Sequence, residues 1–420
     1  MISRRKFIAS STGALASALV LQRIDKRLLG DAAPCKLRVA LAGLGARGRE
    51  LIAELSVPEG PFDLIGLCDV DSSRLARGMA LFAGSRGGKV KAFANFGDML
   101  RKARPDAVVI ATPDHWHSEQ VREAVSSGVH VWVEPSFAVN FDQLAILAEI
   151  NKGSDPVIFP GRISRESEIA GELLSSGLIG EVRSISVAAI KRVANLRRPV
   201  YYGSPPEGLD WLGWCGPAVQ LPFSDSAEGP EETAAVFAGG WRRHGLLSPG
   251  PIGYKASAEM ALVARLCNDS ELVRVSSMGC QAFTPRARKS NDRQFSTLPD
   301  QFVSSFEFKS GLVVSWTQKE MASERSTPYS IRVLVRGSKG SATIDPAQGV
   351  VVNGRRIRTE ASSDRISILR FASAIRSGEK RRLSDFELRG SRFGLLANAS
   401  YRLQRPLNEL ALISASPDSA

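Results

Sequence analysis

Along the first half of the chain, short apolar runs alternate with amphipathic stretches. Leu37–Leu41 has the length and continuity of a buried strand. Leu51, Ile52 and Leu55 follow at helical spacing. Leu64–Cys68 is a second strand-like run, and Leu75, Met79 and Phe82 form the apolar face of the next helix, with Asp71 as its expected N-cap. The rhythm repeats with Ala107–Ala111, a helix carrying Val121, Ala124 and Val125 that ends at Gly128, the run Val129–Val133, a helix over Phe141–Ile150 and the short strand Val157–Phe159. Alternation of this kind predicts a doubly wound parallel sheet, with ligands bound outside the carboxyl ends of its strands.

The second half changes character. Val182–Ile190, Leu272–Phe283, Phe302–Trp316 and Tyr329–Ile344 are long strand-like runs, and one more helical pattern spans Ile366–Ile375. A chain of 420 residues exceeds one ordinary core, so two domains are expected. The boundaries read as 1–35 for a leader and linker, 36–160 for the first domain, 161–405 for the second and 406–420 for a tail.

The chemistry of the first domain begins between its first strand and helix. Gly43-Leu44-Gly45-Ala46-Arg47-Gly48 is a G-x-G-x-x-G loop in the context that gives it meaning. Gly43 permits the tight turn, Gly45 removes a side chain where a pyrophosphate approaches the backbone, and Gly48 lets helix and strand pack closely. Asp69 ends the second strand, where a carboxylate accepts hydrogen bonds from ribose hydroxyls and repels a 2′-phosphate, so NAD is expected over NADP. The ends of two further strands, at Thr112–His117 and Glu134–Ser136, point to the same crevice. The expected cofactor-binding residues are therefore Gly43, Leu44, Gly45, Ala46, Arg47, Gly48, Asp69, Thr112, Pro113, His117 and Glu134.

Ser3-Arg4-Arg5-Lys6-Phe7-Ile8 precedes an uncharged stretch, Ile8–Gln22, too short and too weakly apolar to span a bilayer. It resembles a twin-arginine signal, which implies a periplasmic protein exported in folded form, either released by cleavage or retained by an uncut signal. The net charge of +12 suggests nucleic acid only weakly. Its densest groups, Arg355, Arg356 and Arg358 and then Lys380, Arg381 and Arg382, lack interleaved aromatics and read as solvated faces. Of the five cysteines, no two share a C-x-x-C spacing, so neither a metal site nor a disulfide framework is expected, and Cys68, Cys215, Cys267 and Cys280 are expected to be buried thiols.

Taken together, the landmarks resemble the glucose–fructose oxidoreductase / inositol dehydrogenase (Gfo/Idh/MocA) family. The resemblance rests on the glycine loop, on Ala111-Thr112-Pro113-Asp114-His115-Trp116-His117, on Gly128–Ser136, on Ser176–Val182, and on Pro206–Trp211 with Trp214–Pro217. It implies a Rossmann domain followed by an α+β domain with a large, mostly antiparallel sheet that supplies a substrate face and an oligomer interface, with a final helix near Ile366–Ile375 returning to the first domain. It also implies hydride transfer between a nicotinamide and a sugar or polyol, a proton being handled by a Lys of an E-K-P segment and a His of a later G-D-x-x-x-H segment.

This chain departs from the pattern at both proton-handling positions. Pro135 follows Glu134 where the Lys is expected, and Ala258 stands at the His position, with Tyr254 and Ala261 replacing the two flanking acids. Neither Pro nor Ala exchanges a proton. Replacement candidates are Lys191, the adjacent Tyr254 and Lys255, and the histidines of the third strand-end loop, His115 and His117, of which His117 also reads as an orienting residue. The loop Glu228–Ala238 offers further acids. Arg162, Trp211 and Trp214 are candidate substrate contacts, with Tyr201 and Tyr202 as further stacking surfaces, although aromatics at a domain junction also serve as core. Three readings stay open: an NAD-linked sugar or polyol oxidoreductase, an inactive nucleotide- or carbohydrate-binding scaffold, and an NAD-retaining glycosidase-like enzyme.

Overall fold

A computed structural model of the protein describes residues 35–408 apart from 87–88, 154, 162–164, 176, 194–200, 219, 226–236, 238–239, 268–269, 283–297, 324–326, 328, 346–348 and 358–362. The leader, Arg162 and nearly all of the 228–238 loop lie outside the described residues.

The first domain is built on six parallel strands: β1 (Leu37–Ala42), β2 (Phe62–Cys68), β3 (Lys91–Phe93), β4 (Ala107–Ile110), β5 (His130–Val133) and β6 (Ile158–Pro160). Their order is β3-β2-β1-β4-β5-β6, so the winding reverses between β1 and β4 and leaves a crevice at their carboxyl ends. Helices α1 (Ala46–Leu55), α2 (Ser72–Arg86), α3 (Phe96–Ala103), α4 (Asp114–Ser126) and α5 (Phe141–Gly153) fill the connections. The apolar runs of β1, β4 and β5 are continuous because both of their faces are covered, and all four residues of β4 are buried. The sequence pattern gave no warning of β3 and α3. Only Phe93 of β3 is buried, as befits an edge strand, and α3 is set instead by Asn95, whose side chain accepts the Asp98 N–H at 3.0 Å.

The second domain opens with α6 (Arg165–Ser175) and β7 (Val182–Val193). A two-stranded ribbon follows, β8 (Tyr201–Tyr202) with β9 (Ser224–Asp225), and α7 (Trp211–Cys215) lies between its strands. Next come α8 (Gly250–Tyr254), α9 (Ser257–Leu266), β10 (Leu272–Cys280), β11 (Gln301–Phe308), β12 (Val313–Ala322), β13 (Ser330–Gly337), β14 (Ser341–Asp345), β15 (Gly349–Val352) and β16 (Arg355–Ile357). The sheet order is β10-β11-β12-β7-β13-β14-β15-β16, and only the β12–β7 pair is parallel. Two of the expected strand-like runs are in fact hairpins. Phe302–Trp316 turns at Gly311, whose φ is 82°, and Tyr329–Ile344 turns between Gly337 and Ser341. A tight turn interrupts an apolar rhythm too briefly for periodicity to register it.

Helices α6 and α9 cover one face of this sheet over Trp316, Val333 and Phe306. The opposite face exposes Met278 (72%), Val313 (44%), Val303 and Ile190. Cys280, expected to be buried, is exposed, because it ends the edge strand β10.

The predicted helix near 366–375 is α10 (Asp364–Arg376). It packs on the first domain, where Phe371 meets Phe62 at 6.0 Å and Phe159 at 5.7 Å between ring centroids. It is not the final helix. α11 (Asp385–Leu403) follows, closed at its start by a reciprocal Ser384–Glu387 capping box, and it returns to the second domain beside α9. Its glycines hide it from periodicity and permit its packing: a Cβ on Gly390 would lie 2.7 Å from the Ala261 nitrogen.

Candidate functional site

The glycine loop carries out three separate tasks. Gly43 has φ of 86°, and a Cβ there would stand 2.5 Å from the Ala111 carbonyl oxygen. A Cβ on Gly48 would stand 1.8 Å from the Gly43 oxygen, so this glycine lets α1 sit against the loop. Gly45 is different, since the atom nearest to its missing Cβ is a guanidinium nitrogen of Arg74 at 3.9 Å. Its open side is what a ligand approaching the backbone requires. α1 starts at Gly45 without a side-chain cap, and its first intrahelical bond runs from Arg49 N–H to Gly45 O at 3.1 Å. The amides of Ala46, Arg47 and Gly48 therefore have no carbonyl of the helix to donate to. Together with the helix dipole they fit the pyrophosphate of a dinucleotide.

Leu44 takes another role than the one expected. Its side chain is fully buried, and its N–H donates to Asp69 Oδ2 at 2.7 Å. The second Asp69 oxygen accepts the Asp71 N–H at 2.9 Å. Asp69 thus fastens the loop, with a lone pair left on each oxygen. Burial pushes its carboxyl upward against the lowering effect of these two bonds.

The Arg47 side chain turns away from the loop. It donates twice to Asp364 at 2.6 Å, to Glu134 at 2.7 Å and to Glu50 at 3.0 Å. Burial alone would lower its pKa; the bonds and charges of Asp364 and Glu134 outweigh that and raise it. Glu134 is accordingly engaged with Arg47, and the pair ties α1 and β5 to α10.

At the end of β4, Thr112 Oγ1 donates to Gln120 Oε1 at 2.7 Å. The His117 ring lies between two carbonyl oxygens, Nδ1 at 2.6 Å from Ser136 O and Nε2 at 2.8 Å from Thr112 O, and the residue is 1% exposed. With a backbone carbonyl oxygen beside each ring nitrogen, His117 bridges the β4 and β5 ends. Pro135, buried beside it, has no proton to offer.

His115 is wholly buried, with Nε2 3.0 Å from Trp214 O, and burial first of all brings its pKa down to about 4. The sign of the linkage follows. Above pH 6.5 the ring is neutral in both states; as the pH falls below 6.5 the unfolded chain takes a proton that the folded chain refuses down to about 4. This residue alone is expected to cost about 3 kcal/mol of stability across that window. Denaturant unfolding at pH 7 and pH 4.5 checks it, with His115→Gln expected to lose correspondingly less on acidification; equal losses in both proteins would refute the assignment.

Trp211 and Trp214, the candidate substrate contacts, sit in an aromatic core. Their rings stack on each other at 4.7 Å with an interplanar angle of 10°, and Phe223 and Phe237 pack edge-on around them. The Trp211 indole N–H donates to Leu221 O at 2.7 Å, and the two residues are 9% and 3% exposed. They form a separate aromatic core with Trp241 and Leu247. Its purpose is docking: Trp214 O receives the Trp116 indole N–H at 3.0 Å, and Ser72 N–H donates to Gly208 O at 2.9 Å, which holds this segment against the ends of β2 and β4.

The remaining proton-exchange candidates converge on one cleft in the second domain. Lys191 of β7, Tyr254 of α8 and the following Lys255 line it, with Arg242, Glu320 and Tyr329. Lys255 Nζ donates to the Tyr254 hydroxyl at 3.0 Å. Arg243 is bound to Glu320 at 2.7 Å, and the Tyr329 hydroxyl donates to the same carboxylate. Burial, and then the Glu320 charge, raise the Tyr329 hydroxyl well above its ordinary value. Arg243, Glu320 and Tyr329 follow no motif in the sequence, and Arg243 lies 77 residues before Glu320. The cleft is hung on the first domain by Ser248, whose hydroxyl donates to the buried Asp114 carboxylate at 2.7 Å and accepts the Gly250 N–H at 3.2 Å, at the start of α8.

Residues 37–161 match the Gfo/Idh/MocA family, described as an oxidoreductase family with an NAD-binding Rossmann fold. Among curated proteins the chain is 30% identical over 124 residues to glycosyl hydrolase family 109 protein 2 of Akkermansia muciniphila, covering 28% of this chain and 26% of that protein. It is 28% identical over 190 residues to the glycosyl hydrolase family 109 protein of Stenotrophomonas maltophilia, covering 43% and 40%. It is 25% identical over 159 residues to D-glucoside 3-dehydrogenase of Escherichia coli, covering 37% and 44%. The chain thus matches less than half the length of each of these relatives. Among solved structures, myo-inositol 2-dehydrogenase from Lactobacillus plantarum has a TM-score of 0.60 at 16% identity over 89% of this chain and 99% of that one. Scyllo-inositol dehydrogenase from Lactobacillus casei with bound NAD(H) and scyllo-inositol has a TM-score of 0.58 at 15% identity, covering 89% and 99%. At these identities the likeness carries the fold.

Proposed function

Because the chain belongs, through its nucleotide-binding domain, to the Gfo/Idh/MocA oxidoreductases, we propose that it binds NAD and moves a hydride between that cofactor and a carbon of a sugar or polyol. The observation that carries this reading is the uncapped start of α1 in the three-glycine loop, with Asp69 following the end of β2. The amides of Ala46, Arg47 and Gly48 would hold the pyrophosphate, Asp69 the ribose hydroxyls, and Thr112 and Pro113 would border the crevice. Asp69 favours NAD over NADP, since a 2′-phosphate would meet a carboxylate. When bound, the nicotinamide supplies a hydride acceptor. This chain's own task is then to take a proton from the substrate hydroxyl as the hydride leaves its carbon. Pro135 and Ala258 cannot do this, and the Tyr254–Lys255 pair in the cleft is the replacement the geometry favours. The exposed apolar sheet face supports a homo-oligomer, and the Arg4–Arg5 leader supports export of the folded, loaded chain to the periplasm.

The test is to purify the chain from Lys36 onward, denature it, and assay the supernatant for NAD(H) and NADP(H). Stoichiometric NAD(H) is expected, with NADH formed when a substrate sugar or cyclitol is added. A protein that comes out empty and binds no added NAD would sink the proposal and leave a scaffold. A second reading is favoured by the relatives named as glycosyl hydrolases. Retained NAD with glycoside cleavage and no net NADH would select it.

A further inference from the structure

The glycine loop meets a diphosphate with little positive charge of its own. The diphosphate of a dinucleotide carries a charge on each phosphate, whereas a helix start offers about half an elementary charge. The neighbouring arginines do not make up the difference. Arg47, inside the glycine motif, is turned to Asp364 and Glu134. Arg49 donates to the Leu44 carbonyl oxygen at 3.4 Å. Arg77 is folded onto its own helix, where it donates to the Ser73 carbonyl oxygen at 3.1 Å and to the Ser73 hydroxyl at 3.0 Å.

Arg74, in the first turn of α2, is placed differently. Its Nη1 is the atom nearest to the missing Cβ of Gly45, at 3.9 Å, so the guanidinium borders the open side of the loop. Its charge also reaches Asp69, pulling down a carboxyl that burial pushes up. Two neighbours hold it there. Asp71 Oδ2 lies 3.3 Å from Nε, and the centroid of the Phe237 ring lies 4.3 Å from the guanidinium carbon. A ring face attracts a guanidinium without taking its N–H groups, and a contact at Nε leaves the two terminal amino groups to meet an oxyanion.

Phe237 belongs to the second domain, and its surroundings fix it. Its ring centroid lies 5.7 Å from that of Phe223 and 6.3 Å from those of both Trp211 and Trp214. The same aromatic core takes in Val70, next to Asp69. Main-chain bonds join the two segments, from Ser72 N–H to Gly208 O at 2.9 Å and from Asp210 N–H to Val70 O at 3.0 Å. The direction of the one guanidinium that borders Gly45 is thus set by a distant part of the chain.

We propose that Arg74 is a cofactor-binding residue that grips the diphosphate of the dinucleotide, and that Phe237 is the positioning residue that aims it from the second domain. The inference rests on the nucleotide reading above and adds to it the charge that the glycine loop does not supply. The planar fork of a guanidinium meets two phosphate oxygens at once, which a lysine ammonium does not.

The experiment is calorimetric titration of the full chain, stripped of retained nucleotide with charcoal, with NAD, NADP, ADP-ribose and adenosine at low and at high salt. Arg74→Met is expected to weaken NAD and ADP-ribose about tenfold or more, to flatten their salt dependence, and to leave adenosine as it is in the wild type. Arg74→Lys should recover only part of the loss. Phe237→Leu, checked for an unchanged melting temperature, should weaken ADP-ribose about threefold, and Phe237→Tyr, which keeps the ring, should bind it like the wild type. A loss shared equally by adenosine would make Arg74 a contact of the base, and a loss confined to NADP would make it a contact of the 2′-phosphate; either result overturns the proposal. Wild-type affinity in Phe237→Leu, or equal losses in the Leu and Tyr variants, overturns the role of Phe237. A chain that binds neither NAD nor ADP-ribose sinks the nucleotide reading and this inference with it, whereas NAD bound equally by the wild type and Arg74→Met sinks this inference alone.

Discussion

Gly48→Ala is expected to yield a chain that retains no nucleotide and unfolds well below the wild type. The added methyl group would lie 1.8 Å from the Gly43 oxygen and 2.9 Å from its carbonyl carbon, against backbone that cannot rotate aside. Either α1 lifts from the loop or the loop leaves the end of β4, where Gly43 is itself confined by the Ala111 carbonyl. Overpacking of this kind costs about 3 kcal/mol, and it displaces the very amides that would hold a pyrophosphate. Gly45→Ala is the matched control. Its backbone, φ −62° and ψ −166°, suits alanine, and its Cβ would meet only an Arg74 nitrogen at 3.9 Å. Its melting temperature should stay near the wild type while NAD affinity falls about tenfold, equivalent to about 1.4 kcal/mol. Thermal unfolding and nucleotide titration of the two proteins separate the tasks. If Gly48→Ala bound NAD like the wild type, the loop would not be the binding element.

The second large effect concerns the ion network under that loop. In Arg47→Met the Glu134 carboxylate, 7% exposed, loses the guanidinium held at 2.7 Å, and Asp364 loses both of its bonds. Breaking a buried pair from one side costs about 3–5 kcal/mol, because the surviving charge keeps its desolvation penalty. The penalty should fall on two places at once, since α10 is docked by Phe371 at one point and by Asp364 at its first turn. Urea unfolding measures the loss. The double variant Arg47→Met/Glu134→Met should recover a good part of it, because the most deeply buried carboxylate of the network is removed together with its guanidinium. A double variant as unstable as the single one would show that packing of the arginine stem, not the charge, holds the network.

These two cases also mark how far a one-dimensional reading reaches. The glycine loop was legible because its function depends on local backbone: a turn, an open approach and a close contact within six consecutive positions. The fate of Arg47 was not, because its partners are 87 and 317 residues away. His117 stood in a recognisable motif, yet only the fold shows both of its nitrogens held by carbonyl oxygens. Trp211 and Trp214 carry the same letters whatever they stack on, and only the fold shows them buried against each other. The helix α11 escaped notice because Gly390 and Gly394 dilute its apolar face, although those glycines are what let it lie against α8 and α9.

What the sequence determined by itself is whatever follows from neighbours along the chain: the parallel sheet of the first domain, the glycine loop with Asp69, the strand-like runs after it, and the lack of a proton-exchanging group at Pro135 and Ala258. What only the tertiary structure decided is which distant side chains share a space. Lys191, Arg242, Glu320 and the neighbouring Tyr254 and Lys255 come from distant stretches of the chain and meet in one cleft. Their charges act through a few ångströms of low-dielectric space, not through sequence separation, so the cleft exists only once the chain has folded.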